Sequence, residues 1–312
     1  MSSAPWKGVF PALVTPLTDA GALDRPALRR VIDWTMSHGV HGLSVVGSTG
    51  EGALLPFELQ RDVVRVAVKA RTGRPLLVAI LASGPQDTLR FARFALDAGA
   101  DGVLATPPYY YPLDQQAVFE FYSGLADKLD GPILIYHIPA FTKIPLEVPT
   151  LTALAALPRV AGIKDSSHDA DFHRRVIEST RHENFSVFAG SGRLLPVNVA
   201  AGGHGAIAAS ANLIPDALTA LWRALGRGDT AAANDLHTLV DAVEATCRSY
   251  AFPATWKASV ELAGLAGGQP AFPLSRLSPD QMDSLRRAFA RLGVIPVPNG
   301  KSDVRSTNDP VQ

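Results

Sequence analysis

The sequence predicts an α/β fold, a (β/α)8 TIM barrel with a C-terminal helical extension. Two observations predict it. Short apolar runs alternate with longer amphipathic stretches, giving eight strand-helix units before residue 229, and no glycine fingerprint of a dinucleotide fold follows the first run. Alternation alone also allows a doubly wound open sheet; a count of eight with no leftover strand favours the closed barrel. The strands are read at 9–14, 42–46, 76–81, 102–106, 132–138, 159–164, 185–189 and 205–209. Each is short and rich in Val, Ile, Leu or Ala, as strands buried on both faces are. The helices between them are read at 24–38, where Leu28, Val31, Ile32 and Thr35 share a face, and at 57–72, 86–98, 114–129, 146–156, 169–181 and 215–227. Gly39, Gly73, Pro75, Gly99, Gly131, Pro132 and Pro158 punctuate the joins. After residue 229 the strand signals stop, and 229–249, 253–265 and 279–293 read as helices. The chain thus divides into a barrel (1–228), a helical extension (229–297) and a polar tail (298–312) expected to be disordered.

Composition narrows the function. The 312 residues are 47% hydrophobic and 19% charged, which excludes a disordered chain. Lys+Arg and Asp+Glu both number 29, so there is no global field for a polyanion, and nucleic acid is not an expected partner. The single cysteine, Cys247, can make neither an internal disulfide nor a zinc set, and the simplest compartment is the reducing cytoplasm. No basic segment followed by an apolar run opens the chain. The longest uncharged stretch, 194–215, contains Pro196, Asn198, Gly202, Gly203, His204 and Asn212, which suit lipid poorly. It reads as a buried strand with flanking loops, and no membrane partner is expected.

In a barrel the chemistry sits where the strands end. Lys164 ends an apolar strand, whereas most of the other lysines (7, 69, 128, 143, 257 and 301) lie in segments that read as surface. Desolvation there favours the neutral, nucleophilic amine; a lysine paired with Asp165 or another acid is the alternative. Tyr136 on the neighbouring strand tips the balance, because a phenol there can exchange protons with an amine adduct. Gly47-Ser48-Thr49-Gly50 offers hydroxyls and amides to a carboxylate, or is an ordinary turn. Tyr109-Tyr110-Tyr111 is either functional or a packed cluster. The segment His168 to His173 has the wrong spacing for a metal pair on one helix face and reads as a capped, solvated helix start. Ser191 lacks the preceding glycine of a nucleophile elbow. Glu51 reads as a supporting or capping residue, Cys247 as a buried apolar one, and the glycines at 202, 203 and 205 as close packing. No metal site is expected.

Five motifs occur in a familiar order: GSTGE at 47–51, PPYYY at 107–111, YHIP at 136–139, GIKDSS at 162–167 and GGHGAIAASAN at 202–212. Together they resemble the dihydrodipicolinate synthase and N-acetylneuraminate lyase superfamily over nearly the whole chain. The resemblance implies a class I lyase or aldolase in which Lys164 forms a Schiff base with pyruvate or a related 2-oxo acid. That imine cleaves or forms a carbon–carbon bond to an aldehyde, so no cofactor beyond it is expected. The partners implied are the small-molecule 2-oxo acid and aldehyde, within a homotetramer of two tight dimers. Carried over residue by residue, Tyr136 matches the proton-shuttling tyrosine and Ser48 the hydroxyl that relays protons to it. Thr49 matches the holder of the 2-oxo acid carboxylate. Tyr110, with Tyr109 as its substitute, matches the tyrosine reached from the neighbouring subunit. Ile207 matches a residue lining the pyruvate pocket, and Ser166 is a candidate contact to the acceptor.

The departures bear on the acceptor. Phe141 stands where the synthases carry an arginine for the second substrate's carboxylate, which predicts weak activity with aspartate semialdehyde. Gly192-Arg193 replaces the acidic pair with which sialic acid lyases hold sugar hydroxyls, and Ala209 replaces their serine. His137 stands where asparagine is usual. Arg193 is a candidate cation for an anionic acceptor, a surface arginine being the alternative. Three further readings are weighed: 4-hydroxy-tetrahydrodipicolinate synthase, a dehydratase of a 2-oxo-3-deoxy acid, and a catalytically retired 2-oxo acid binder. The presence of Lys164, Tyr136 and Ser48 argues against the last. A phosphate-binding isomerase would need a basic glycine-rich loop.

Overall fold

The computed structural model describes residues 6–295. Eight strands alternate with helices in the expected order: β1 (Gly8–Pro11), α1 (Arg25–Ser37), β2 (Leu43–Val45), α2 (Phe57–Ala70), β3 (Leu76–Ile80), α3 (Pro85–Asp97), β4 (Gly102–Ala105), α4 (Gln115–Lys128), β5 (Ile133–His137), α5 (Pro139–Thr142), α6 (Val148–Ala155), β6 (Val160–Asp165), α7 (Ala170–Thr180), β7 (Ser186–Ala189), α8 (Leu195–Ala200), β8 (Gly205–Ala208) and α9 (Pro215–Arg227). Three more helices follow, α10 (Thr230–Arg248), α11 (Ala254–Leu262) and α12 (Pro279–Arg291). The tail at 298–312 lies outside the described residues, as do the last residues of the expected extension.

The strands are all parallel, each beside its sequence neighbour, with β8 against β1. The ring closes through a parallel bridge between Ala12 and Ser44, where the Leu13 amide donates to Ser44 O at 2.9 Å. That closure excludes the open doubly wound sheet. Alternation along each strand divides the apolar residues into two sets. Phe10, Leu77, Ala79, Leu104, Leu134, Tyr136, Phe188 and Ile207 fill the barrel interior. Val9, Val78, Val103, Ile135, Ile163, Val187 and Ala206 face outward under the helices. Both faces are dry, which is why the strands read as continuous apolar runs. Phe10 and Phe188 meet edge to face at 5.4 Å across the interior. Gly42 makes room for that pair, since a Cβ there would lie 2.1 Å from the Phe10 ring.

Local chemistry sets the helix starts. Asp24, Asp114, Asp169 and Asp229 each accept from amides of the helix that follows, and Ser278 with Gln281 forms a capping box on α12. Two readings are corrected. The 194–215 stretch is not a strand with loops alone: it holds α8, β8 and a 3-10 turn at 209–212. A helix of six residues is too short for its periodicity to show. Likewise His173 is not solvated. Asp169 caps α7 as expected, but His173 faces inward and is buried.

Candidate active site

The register of β5 against β6 pairs Tyr136 with Lys164, and one residue on it pairs His137 with Asp165. Successive side chains on a strand take opposite faces. Tyr136 and Lys164 therefore point into the barrel, and His137 and Asp165 point out beneath the helices. Inside, Lys164 Nζ donates to the Tyr136 hydroxyl at 3.2 Å and lies 4.3 Å from the centre of its ring. The Tyr136 hydroxyl also lies 3.2 Å from Ser48 Oγ. Ser48, Tyr136 and Lys164 thus form one hydrogen-bonded chain across three strand ends. Lys164 is 4% exposed and, among the described residues, takes part in no ion pair. The alternative pairing with Asp165 is ruled out because that carboxylate lies on the other face.

Outside the barrel wall Asp165 accepts four hydrogen bonds. Leu146 N donates to His137 Nε2 at 3.3 Å, so the proton of that ring is on Nδ1, which donates to Asp165 Oδ1 at 2.8 Å. The Asn198 amide donates to His173 Nε2 at 2.7 Å, so His173 Nδ1 donates to Oδ2 at 3.1 Å. Ser167 supplies the other two, from its amide and its hydroxyl. Burial by itself raises the Asp165 carboxyl, but the histidines and Ser167 outweigh it and hold it well below the usual carboxylate range. Two successive cross-strand pairs therefore share one register. The inner one faces a cavity, and the outer one clamps the strands that carry it.

The cavity above Lys164 measures about 270 Å³, and Ser48, Thr49, Tyr136, Lys164 and Ser166 line it. Thr49 and Ser166 are buried. The loop carrying Ser48 and Thr49 is not a helix start, since α2 begins only at Phe57. It leaves β2 through Val46 at φ 61°, a costly conformation for a β-branched residue, and Glu51 repeats it at φ 61°. The Glu51 carboxylate is buried on Lys257 Nζ (2.7 Å) and the Ala271 amide (3.0 Å), which ties the loop to α11. Burial lowers the basicity of Lys257 despite Glu51.

Three expected residues lie apart from this group. Ile207 is fully buried in the interior cluster with Tyr136 and is not on the cavity wall. Tyr110 is 77% exposed and meets Tyr111 edge to face at 5.1 Å. Its neighbour Tyr109 donates its hydroxyl to Leu81 O at 3.2 Å. Arg193 is exposed and pairs with Asp241 on α10, off the cavity wall.

Sequence reasoning missed one wall entirely. Glu244, Cys247 and Arg248 of α10, with Tyr250, Phe252 and Trp256 beyond it, close the cavity opposite the strands. The Glu244 carboxylate accepts from Ser191 Oγ (2.6 Å), Ser210 Oγ (2.6 Å) and Gly192 N (2.8 Å). A Cβ at Gly192 would lie 2.9 Å from Glu244 Oε1, so the glycine admits the carboxylate. The spacing of Glu244 and Arg248, one turn apart, was the only available signal, and nothing local says what that face meets. Cys247 is a buried part of that wall, and burial pushes its thiol up to about 12. Among the described residues no cluster of His, Cys, Asp and Glu could hold a metal ion, and no helix is long and apolar enough to cross a membrane.

The model of the dihydrodipicolinate synthetase family matches residues 5–291. A protein of Methanoculleus marisnigri named 4-hydroxy-tetrahydrodipicolinate synthase is 35% identical over 292 residues, covering 92% of this chain and 100% of that one. One of the same name from Methanopyrus kandleri is 32% identical over 293 residues, covering 93% and 97%. Among solved structures, YagE, a prophage protein of the dihydrodipicolinic acid synthase family from E. coli in complex with pyruvate, superposes with a TM-score of 0.89. It is 27% identical and is matched over 92% of this chain and 99% of its own.

Proposed function

The chain belongs to the dihydrodipicolinate synthetase family of aldolase-type lyases, and from that premise we propose that Lys164 forms a Schiff base with pyruvate or a related 2-oxo acid. The observation that carries this reading is the chain Lys164–Tyr136–Ser48, with both links at 3.2 Å, beneath a cavity. Lys164 Nζ attacks the ketone carbon, and the carbinolamine loses water to give a protonated imine. That imine is the electron sink, and the chemistry requires no metal or organic cofactor. In condensation, loss of a C3 proton gives an enamine whose carbon attacks the aldehyde, and the new alkoxide takes a proton from the Tyr136 hydroxyl. In cleavage the same hydroxyl, deprotonated, removes the proton from the substrate's 4-hydroxyl. Water then hydrolyses the imine and frees Lys164. Ser48 relays the proton, Thr49 holds the carboxylate, Ile207 supports the pocket from below, and Ser166 faces the acceptor.

Tyr110 belongs to the same reading as a residue that serves a neighbouring subunit in a homotetramer of two tight dimers. Its exposure beside Tyr111 supports this, because it does not reach its own Tyr136. The cytoplasm is the proposed compartment, in keeping with one buried thiol. For the acceptor, Phe141 bears against efficient use of aspartate semialdehyde, although the curated relatives are named for 4-hydroxy-tetrahydrodipicolinate synthesis. Weak condensation with that aldehyde is expected; a full rate would sink the inference from Phe141. The chemistry itself is tested by borohydride reduction with pyruvate, intact mass and peptide mapping. A pyruvate-derived adduct on the Lys164 peptide is the expected result, and an adduct spread over surface lysines overturns it.

A further inference from the structure

A glutamate followed four residues later by an arginine is a favoured helical ion pair. Glu244 and Arg248 have that spacing on α10, and both line the cavity above Lys164. They do not pair. Glu244 is turned toward the ends of β7 and β8, where Ser191, Ser210 and the Gly192 amide occupy its two oxygens. Among the described residues Arg248 has no ion-pair partner. Arg248 is thus left exposed at the edge of the cavity, without the carboxylate that its spacing would give it. The last turn of α10, where Arg248 sits, is also where a helix favours a cation. Arg193, the cation that the sequence offers for an anionic acceptor, is paired with Asp241 and lies off the cavity wall. Position 141, on the strand 5 side of the same cavity, carries a phenylalanine.

We propose that Arg248 is the specificity residue of the acceptor site and holds a carboxylate on the aldehyde; aspartate semialdehyde sets an ammonium beside its carboxylate, which a guanidinium repels, so the preferred acceptors are carboxylates without that ammonium. Glu244 acts on it by positioning: held by three donors, it leaves the guanidinium free to meet the substrate. The proposal rests on the reading of Lys164 as the imine-forming lysine, and the test separates the two. Condensation with pyruvate is measured for 4-oxobutanoate and for butanal, its neutral counterpart of equal chain length. Wild type, Arg248→Gln and Arg248→Lys are compared, with the borohydride adduct on Lys164 followed in each. The wild type is expected to favour 4-oxobutanoate. Arg248→Gln is expected to lower kcat/KM for it about 10- to 100-fold, the scale of a lost charged hydrogen bond, to lower it far less for butanal, and still to form the adduct. Arg248→Lys is expected to recover part of the loss. A wild type that forms the adduct but shows no preference for 4-oxobutanoate overturns the proposal and leaves the imine reading standing. So does an equal loss on both aldehydes, or a selective loss in Arg193→Gln with Arg248→Gln at wild-type rates. Absence of the adduct in the folded wild type overturns the imine reading and the proposal with it.

Discussion

Tyr136 lies between an amine and a hydroxyl, 3.2 Å from each, and those two contacts define what it can do. A hydroxyl so placed can pass a proton between a lysine adduct and Ser48, whereas a phenyl ring cannot. Tyr136→Phe is therefore expected to keep the borohydride-trapped adduct and to lower kcat by about 100- to 10,000-fold, the range of positioned acid–base catalysis. Steady-state rates and intact mass on the same sample check both halves. Behind the wall, Asp165 is tested by stability. Its carboxyl is held below its unfolded value of about 3.9, so its contribution is complete above that pH and is lost as pH falls toward the folded value. Asp165→Asn puts an amide donor against rings that already donate, and is expected to cost about 3 kcal/mol at neutral pH. Urea unfolding at pH 7 and pH 3 should show the gap between variant and wild type narrowing in acid. A constant gap would mean that Asp165 does not carry the charge assigned to it.

Among the elements, the loop after β2 does the most with the least regular structure. It presents Ser48 and Thr49, bends through positive φ at Val46 and Glu51, and is held in that shape from α11 by the Glu51–Lys257 pair. The pair is buried, and removing one partner strands the other charge. Lys257→Met or Glu51→Gln alone is expected to cost about 3–5 kcal/mol, and the double variant less than the sum of the two. A double-mutant cycle by urea denaturation measures that coupling; simple additivity would show that the pair does not act as a unit. The loop's motif was legible, because its residues are contiguous. Its anchor was not, since Lys257 lies 206 positions away, in a segment whose pattern shows a helix and not what that helix meets. His173 was misread for the same reason: the Asp169 cap is local, while the burial of the ring depends on Asn198 and Asp165.

For the whole molecule, assembly is the open test. Tyr110 and Tyr111 are 77% and 74% exposed in the single chain, an aromatic pair left to solvent at the barrel mouth. Burying such a pair is what an interface between copies would do. Sedimentation is expected to give a mass near four times 33.1 kDa. Tyr110→Ala is expected to lower activity in the assembled enzyme; a monomer with full activity would remove Tyr110 from the site.

The sequence by itself determined the barrel and the inner pair. Strands buried on both faces read as apolar runs, helices carry a 3.6-residue stripe, and a lysine at the end of such a run stands out. All of these are local patterns. The tertiary structure alone decided the far wall of the cavity. Whether Glu244 meets Arg248 or Ser191, and whether Arg193 faces the cavity or Asp241, depends on how α10 docks against the ends of β7 and β8. Long side chains choose among partners brought near by that docking, and partners distant in the chain leave no trace in local spacing.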